Sequence, residues 1–138
     1  MQLDVIIPTY NRADLLKLTL QSLLAAEIPA GLNVQVTVVD NNSTDETHQT
    51  VSAFQPLFAG RLNYLFERKQ GRSSALNAGI AATGGDLVGM VDDDEEIDRS
   101  WYACVYRAFS GGDIDFIGGP YVPRWGGPPP PWDRSGFR

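Results

Sequence analysis

Five consecutive acidic residues follow a short apolar segment in the second half of the chain. Residues 87–91 read LVGMV, and residues 92–96 read DDDEE. Carboxylates this close repel one another, so they destabilise the fold unless a cation or a donor-rich ligand compensates. Their oxygens are the ligands that Mg²⁺, Mn²⁺ and Ca²⁺ prefer. The acidic run 92–96 therefore indicates a cation site, and the alternative is a solvated acidic turn in which Asp98 caps the next helix.

The elements that would position these carboxylates alternate between strands and helices along the chain. Strands are predicted over residues 3–7, 34–39, 62–66, 87–91 and, as a short fifth strand, 115–117. Helices are predicted over residues 12–26, 44–54 and 100–109, and another begins at Gly71 and ends at Gly84-Gly85. Asn11 is expected to cap the first helix, and Ser43 with Glu46 has the spacing of a capping box for the second. This alternation predicts an α/β fold with a mainly parallel, Rossmann-like sheet and helices on both faces.

The carboxyl ends of parallel strands share one edge of the sheet, and ligands bind at that edge. The first predicted strand ends in the turn Pro8-Thr9-Tyr10, and the second ends at Asp40-Asn41. The fourth strand ends in the acidic run, and Arg72 lies at the start of a helix that can approach the same edge. We therefore expect these four segments to meet in one site.

Length and composition exclude several classes of protein. The chain has 138 residues, of which 43% are hydrophobic and 20% charged, as in one ordinary globular domain. Its formal net charge of −6 argues against a nucleic-acid binder and against binding to anionic membranes. Cys104 is the single cysteine, which excludes an internal disulfide and a cysteine-rich zinc site. No segment approaches the roughly 20 apolar residues of a membrane span, and the N-terminal apolar run is too short for a signal peptide.

Familiar nucleotide-binding motifs do not occur in this sequence. Gly-x-Gly-x-x-Gly does not follow the first strand, and Gly-x-x-x-x-Gly-Lys-Ser/Thr occurs nowhere, so a dinucleotide Rossmann site and a P-loop are not expected. A phosphoacceptor receiver domain would need an acidic pair after the first strand, where this chain has Pro8-Thr9-Tyr10. His48, the only histidine, is expected on the surface of the second helix, so Ser-His-Asp chemistry is not expected.

Four motifs, taken in order, resemble the successive signatures of the family 2 glycosyltransferases. They are VIIPTYNR at 5–12, VVDNNSTD at 38–45, GRSSALNAGI at 71–80 and VDDD at 91–94. The resemblance covers about residues 3–120 and implies the GT-A fold. It also implies metal-dependent, inverting transfer of a sugar from a nucleotide-diphosphate sugar to a hydroxyl group of a sugar or lipid-linked acceptor.

The resemblance assigns roles to the carboxylates of the acidic run. Asp94, as the last residue of the family's Asp-x-Asp motif, would be the direct ligand of Mn²⁺ or Mg²⁺. Asp92 would support the metal through water or the ribose, and Asp93 would contact the ribose hydroxyls. Glu95 and Glu96 are expected to be exposed to solvent.

The resemblance also implies where the nucleoside lies. The base would lie against the turn formed by Pro8, Thr9 and Tyr10. Many relatives have two acids after the second strand, one of which accepts the N3–H of uracil, whereas this chain has Asp40 followed by Asn41. An amide both donates and accepts, so UDP, GDP and dTDP all remain open as the donor nucleotide. Arg72 would lie near the base or the phosphates.

Residues 1–118 are expected to form a nucleotide-sugar-binding domain, and residues 119–138 a Pro/Gly-rich extension towards an absent acceptor-binding part. The family's catalytic base usually lies in a Glu-Asp pair further along the chain. After Asp98 the only acids are Asp113, Asp115 and Asp133, and none lies in such a pair. We therefore expect the catalytic base to be missing and this fragment to be inactive alone.

A truncated sheet would expose apolar surface, and the side chains expected there are Trp125, Trp132 and Phe137. A homodimer through that truncated face is expected. The cytoplasm is the expected compartment, with peripheral contact to the inner face of the membrane where the acceptor is lipid-linked. Two other functions remain open. One is a non-catalytic nucleotide- or metal-binding module. The other is a nucleotidyltransferase, which ranks last because no Gly-rich, basic loop follows the first strand.

Overall fold

Apolar, often β-branched residues form a four-stranded parallel sheet in the computed structural model, which describes residues 1–132. The strands are β1 (Gln2–Thr9), β2 (Asn33–Asp40), β3 (Leu62–Phe66) and β4 (Leu87–Met90), in the order β3-β2-β1-β4. The helices are α1 (Ala13–Ala25), α2 (Thr47–Phe54), α3 (Arg72–Ala81) and α4 (Trp101–Ser110). Within residues 1–132, no helix is long and apolar enough to cross a membrane. The prediction of an α/β fold with a parallel sheet is confirmed.

Helices cover both faces of the sheet because alternate residues of β1 and β2 point to opposite sides. On one side, Val5 lies in a large apolar core with Leu16 of α1, and side chains of α2 and α4 join the same core. On the other side, Ile6 and Val39 pack with Ala75 of α3. Burial of these side chains is the main force that holds the helices on the sheet. The two central strands, β1 and β2, are therefore fixed firmly, and so are the turns that follow them.

The prediction of a fifth strand is wrong. Residues 115–117 do not form a strand, and the side chain of Phe116 is 86% exposed. A strand needs a neighbouring backbone for its hydrogen bonds, and this segment pairs with none of the four strands of the described sheet. Phe116 and Ile117 suggested a strand by type, but so short a pattern does not specify a pairing partner.

The predicted caps of α1 and α2 are also wrong, because neither helix has a side-chain hydrogen bond at its N-cap, and Asn11 and Ser43 bond to each other's loops across the sheet edge. Asn11 has a φ of 51°, and its side-chain oxygen accepts backbone N–H groups of the loop after β2. Ser43 in turn accepts the backbone N–H of Asn11 at 2.9 Å. Asp45 accepts the N–H groups of Ala13 and Thr47, each at 3.0 Å, so α2 begins three residues later than predicted. These bonds tie the exit of β1 to the exit of β2.

Gly84 and Gly85 lie beyond the end of α3 and do not terminate it, contrary to prediction. Their N–H groups donate to one carboxylate oxygen of Asp4, at 2.9 and 2.8 Å. Asp4 is a buried acid in the middle of an apolar strand. A Cβ atom at Gly85 would lie 3.0 Å from the Asp4 carboxylate and from the backbone oxygen of Gln2, so glycine allows this close approach without displacing either group.

Exposed aromatic rings occur in the segment after α4. Trp125 and Trp132 pack edge to face with 5.7 Å between ring centroids, and they remain 38% and 73% exposed. Phe137, which we predicted for the same face, lies outside the described residues. A homodimer through this face stays a prediction.

Candidate functional site

A cleft of about 430 Å³ opens at the edge of the sheet where the strands end. Eight of the nine residues predicted for the site line it. The eight are Pro8, Thr9, Tyr10, Asn41, Arg72, Asp92, Asp93 and Asp94. The parallel sheet brings them together, since β1, β2 and β4 all end at this edge. The cleft also contacts Arg12, Gln70, Gly71 and Ala75, which were not predicted as site residues.

Two arginines balance the carboxylates of the acidic run. Arg72 at the start of α3 forms an ion pair with Asp92, and this pair raises the pKa of the guanidinium. Arg12 lies 3.0 Å from Asp94, measured from Nη1 to Oδ2. The Asp92 and Asp94 side chains are both about half exposed, so a ligand in the cleft can reach them. The acidic run therefore lies against two cations at the cleft, and its function as a cation site stays a prediction.

Asp93 is the buried member of the acidic run. The Thr9 hydroxyl donates to its carboxylate at 2.8 Å, and Arg12 donates to its other oxygen at 3.3 Å. The backbone oxygen of Asp93 accepts the hydroxyl of Thr19, a fully buried residue of α1. Burial raises the pKa of this carboxyl group, although Thr9 and Arg12 favour its charged form. These contacts fix the acidic run against β1 and α1, and a contact of Asp93 with a ribose stays a prediction.

Asn41 fastens the loop that leads into α3. Its amide nitrogen donates to the backbone oxygens of Glu67 and Lys69, at 3.1 and 2.7 Å. Its amide oxygen accepts the backbone N–H of Gly71 at 2.8 Å. Gln70 also donates, through its side chain, to the backbone oxygen of Asn41. Asn41 thus sets the position of the residue before Arg72.

Asp40 is the one predicted site residue that does not line the cleft. It is buried and accepts the backbone N–H of Ser43 at 2.9 Å and the Tyr64 hydroxyl at 2.7 Å. Burial and this bond to Asp40 raise the pKa of the Tyr64 phenol. The geometry shows Asp40 shaping the turn after β2, and its contact with a base stays a prediction.

The remaining acids of the run connect the cleft to the segment after α4. Glu95 was expected to be exposed, but it is half-buried and accepts the backbone N–H of Asp92 at 3.0 Å. Tyr121 also hydrogen-bonds to Glu95. Glu96 is exposed, as predicted, and forms an ion pair with Arg124. Glu95 therefore holds the backbone of Asp92 in place.

The donor set fits a divalent cation that arrives with its own ligands. Within residues 1–132, no group of three or more His, Cys, Asp or Glu side chains is arranged to hold a metal ion. Asp92 and Asp94 offer oxygen ligands that two arginines already compensate. Mg²⁺ and similar cations are usually held by one or two carboxylates together with substrate phosphates and water. The pair Asp92 and Asp94 suits such an ion better than a tightly bound structural metal.

Arg12 is the most informative residue that the sequence analysis missed. It follows the turn 8–10 within the same motif, but we interpreted it as the start of a helix. Its partners Asp93 and Asp94 lie 81 and 82 residues away in sequence. The available signal was charge, because an arginine at the exit of one strand suits an acidic run at the exit of its neighbour.

Comparisons with known proteins agree on one family. The sequence model for Glycosyl transferase family 2 matches residues 4–136. An uncharacterised glycosyltransferase of Nostoc is 32% identical over 95 residues, which are 69% of this chain. The structure of Staphylococcus aureus TarS in complex with UDP has a TM-score of 0.74 at 25% identity over 90% of this chain. Mannosyltransferase PcManGT from Pyrobaculum calidifontis, in complex with GDP-Man and Mn²⁺, has a TM-score of 0.65 at 30% identity over 71%.

These proteins are all longer than the part that matches. The chain spans 29% of the Nostoc protein, 38% of the TarS chain and 29% of the Pyrobaculum chain. The similarity therefore concerns one portion of each relative.

Proposed function

The chain belongs to glycosyl transferase family 2, and from this membership we propose that its cleft binds a nucleoside-diphosphate sugar, the donor of a sugar-transfer reaction. One observation carries the proposal. The carboxylates Asp92 and Asp94 face Arg72 and the turn 8–10 across a single cleft at the carboxyl ends of the strands. The fold is shared with a mannosyltransferase structure that contains GDP-Man and Mn²⁺. A cleft with both carboxylates and a guanidinium suits a ligand that carries phosphates and a divalent cation.

We propose that Asp94 binds Mn²⁺ or Mg²⁺ directly and that Asp92 supports the same ion. When bound, the cation would stabilise the negative charge that grows on the diphosphate as the sugar leaves. Glu95 orients Asp92 by accepting its backbone N–H. Asp93 supports the site structurally, because its buried carboxylate accepts hydrogen bonds from Thr9 and Arg12.

Arg72 is the proposed contact for the diphosphate. It is exposed, it lines the cleft, and its only ion pair within residues 1–132 is with Asp92. A phosphate oxygen can replace Asp92 as the acceptor or bind Arg72 beside it, because a guanidinium has five N–H donors. The backbone at the start of α3 adds the positive end of a helix dipole at the same place.

The nucleoside is proposed to lie against Pro8, Thr9 and Tyr10, with the half-exposed Tyr10 ring at the rim available for stacking. Both side-chain amide hydrogens of Asn41 are donated to backbone oxygens, so neither is available to hydrogen-bond with a base. Asp40 has spare acceptor capacity but is buried and does not line the cleft, so the cleft as it stands does not select one base. UDP, GDP and dTDP therefore remain the candidate nucleotides.

We propose that the reaction inverts the sugar and that the acceptor hydroxyl loses its proton to a carboxylate supplied from elsewhere. Asp113 and Asp115 are exposed and do not line the cleft. Asp133 lies outside the described residues. The alternative is a nucleotide-binding module without catalysis. It would use the same cleft but would have no catalytic carboxylate beside it.

Titration calorimetry tests the donor site directly. UDP, GDP and dTDP are each titrated into the chain, with and without Mn²⁺, and the series is repeated with Asp94→Ala. Asp113→Ala is the matched control, since it removes an exposed acid that does not line the cleft. We expect at least one nucleotide to bind more tightly with Mn²⁺, and we expect Asp94→Ala alone to abolish that difference. Failure of all three nucleotides to bind under any condition would contradict the proposal.

A further inference from the structure

Arg12 links a buried carboxylate to an exposed one. Its Nη1 atom lies 3.3 Å from Oδ1 of Asp93 and 3.0 Å from Oδ2 of Asp94. Arg12 is the residue that precedes the first turn of α1, and its backbone oxygen accepts the N–H of Leu16. The guanidinium therefore extends from a fixed point of the backbone towards the acidic run.

The two carboxylates differ in how firmly they are held. Asp93 is fixed by the hydroxyl of Thr9, by that of Thr19 and by its burial. The side chain of Asp94 is 49% exposed, so burial does not select its rotamer. Arg12 is the described side chain that bonds to Asp94. The position of Asp94 thus depends on Asp93 through Arg12.

We propose that Arg12 is a positioning residue that holds Oδ2 of Asp94 and leaves Oδ1 to bind the divalent cation through a single oxygen. This inference rests on the proposed function, because the cation is the one that accompanies the donor diphosphate. Carboxylates that bind metals are themselves held by hydrogen bonds, and removal of such a partner typically weakens metal binding by roughly 10- to 100-fold.

Binding through one oxygen discriminates between cations. Mg²⁺ demands near-octahedral coordination at short distances, and Mn²⁺ favours similar oxygen sites. Ca²⁺ is larger, accepts six to eight oxygens and readily takes both oxygens of a carboxylate. A carboxylate with one oxygen held by Arg12 should therefore favour Mn²⁺ over Ca²⁺. Release of that oxygen should remove part of the preference.

The ratio of the two affinities isolates this geometric effect. Arg12 is itself positive, so its removal also relieves repulsion of any cation in the cleft. That relief is the same for Mn²⁺ and Ca²⁺, which carry equal charge. It cancels in the ratio, whereas the change in coordination does not.

The test measures nucleotide affinity by calorimetry with Mn²⁺ and with Ca²⁺, using whichever of UDP, GDP and dTDP binds the unmodified chain best. The variants are Arg12→Gln and Arg12→Lys. Arg99→Gln is the matched control, because Arg99 is an exposed arginine that lies 3.7 Å from Glu27, outside the cleft. Lysine keeps the charge and can also donate to two oxygens from one nitrogen, but its flexible stem orients that nitrogen less firmly than a planar guanidinium does, so it should rescue only part of the preference.

We expect Arg12→Gln to reduce the preference for Mn²⁺ over Ca²⁺ about tenfold, Arg12→Lys to reduce it less, and Arg99→Gln to leave it unchanged. An unchanged preference in Arg12→Gln would overturn the inference while leaving the donor site intact. If Arg12→Gln does not fold, an unchanged preference in Arg12→Lys overturns it equally. Absence of any cation-dependent binding by the unmodified chain would overturn the proposed function itself, and this inference with it.

Discussion

Burial and neighbouring donors shift the pKa values of two buried acids in opposite directions. Burial raises the pKa of a carboxyl group because it removes water from the charged form. At Asp93 burial outweighs the bond from Thr9 and the charge of Arg12, so the pKa is raised. At Asp4 burial acts in the same direction, but Gln2 and two backbone N–H groups outweigh it, so the pKa is lowered. Asp4 therefore stabilises the fold as an anion, whereas ionisation of Asp93 is unfavourable to folding.

Replacement of Asp4 by Asn should make the free energy of unfolding less dependent on pH in the acidic range. At pH 7 we expect Asp4→Asn to lose about 1–2 kcal/mol of unfolding free energy, since hydrogen bonds to a charged acceptor become bonds to a neutral one. The lowered pKa means that the advantage of Asp4 is present above about pH 3.8 and is lost as the pH falls through the folded-state pKa. Urea unfolding at pH 7 and below pH 4 measures this change.

Asp113→Asn is the control for that series, because Asp113 is exposed. A deficit of Asp4→Asn that stays constant down to the lowest pH would show that the Asp4 charge contributes nothing to stability.

Among the elements, the four strands of the sheet were predictable, whereas the supposed fifth strand and the helix caps were not. The strands predicted from the apolar runs of β1 and β2 agree with the observed ones. Central parallel strands are buried on both faces, so their sequences are nearly continuous apolar runs. The order of strands and helices then placed the strand exits together. Asp45 accepts the backbone N–H of Thr47 at the start of α2 and also that of Ala13 at the start of α1. The bond to Ala13 joins residues 32 apart, and no local pattern reports it.

The same reason explains what was missed in the candidate site. Eight of the nine residues predicted for the site line the cleft, whereas four of its twelve lining residues were not predicted. The role of Asn41 in holding the loop at residues 67–71 was not visible, because it depends on where three backbone groups lie. The contacts of Arg12 depend on side-chain conformation across the cleft. Topology was therefore predictable, whereas the hydrogen-bond network within the site was not.

The packing of α3 on the sheet depends on Gly79. A Cβ atom at this position would lie 2.5 Å from Cγ2 of Ile6 and 3.2 Å from Cγ2 of Val39. We expect Gly79→Ala to lower the free energy of unfolding by about 1–3 kcal/mol through overpacking, although alanine favours helices. Gly84→Ala is the control, because nothing lies within 4 Å of a Cβ there. Chemical denaturation measures both, and equal stability of the two variants would contradict this account of the contact.

Asn41→Asp tests the loop before α3. The change replaces two N–H donors by a carboxylate that faces the backbone oxygens of Glu67 and Lys69. We expect a loss of about 1–3 kcal/mol, since two partly buried backbone acceptors lose their donors and face a carboxylate instead. Hydrogen exchange should become faster at residues 67–71. Asn63→Asp, in the edge strand β3, is the control, because Asn63 is exposed and its side-chain nitrogen donates to the side chain of Gln35 and to no backbone oxygen within residues 1–132. Unaltered exchange in Asn41→Asp would show that the loop is held by other contacts.

At the scale of the whole molecule, the chain is an acidic protein whose cleft contains arginines. The formal net charge is −6, yet Arg12 and Arg72 both face the three aspartates of the acidic run. A divalent cation would turn this cleft from slightly negative to positive, which favours a diphosphate. The described sheet and cleft correspond to a part of each longer relative. Donor binding by this chain can therefore be measured separately from sugar transfer.

We predict that the 138-residue chain alone transfers no sugar above background. The described acids beyond the acidic run and α4, Asp113 and Asp115, do not line the cleft, so no described carboxylate there can take a proton from an acceptor beside the donor. Release of nucleoside diphosphate from UDP-, GDP- and dTDP-sugars, with simple sugars as acceptors, measures the activity. Turnover that Asp94→Ala abolishes would show that a catalytic base lies within these 138 residues.

Crystals of the chain grown with its preferred nucleotide and Mn²⁺ test the central claim most directly. Anomalous diffraction identifies the position of manganese without reference to any assumed role. We predict one anomalous peak within bonding distance of Asp94, beside Asp92, with the diphosphate between that peak and Arg72 and the base against Tyr10. A nucleotide bound elsewhere, or manganese that avoids both aspartates, would contradict the assignment of this cleft as the donor site.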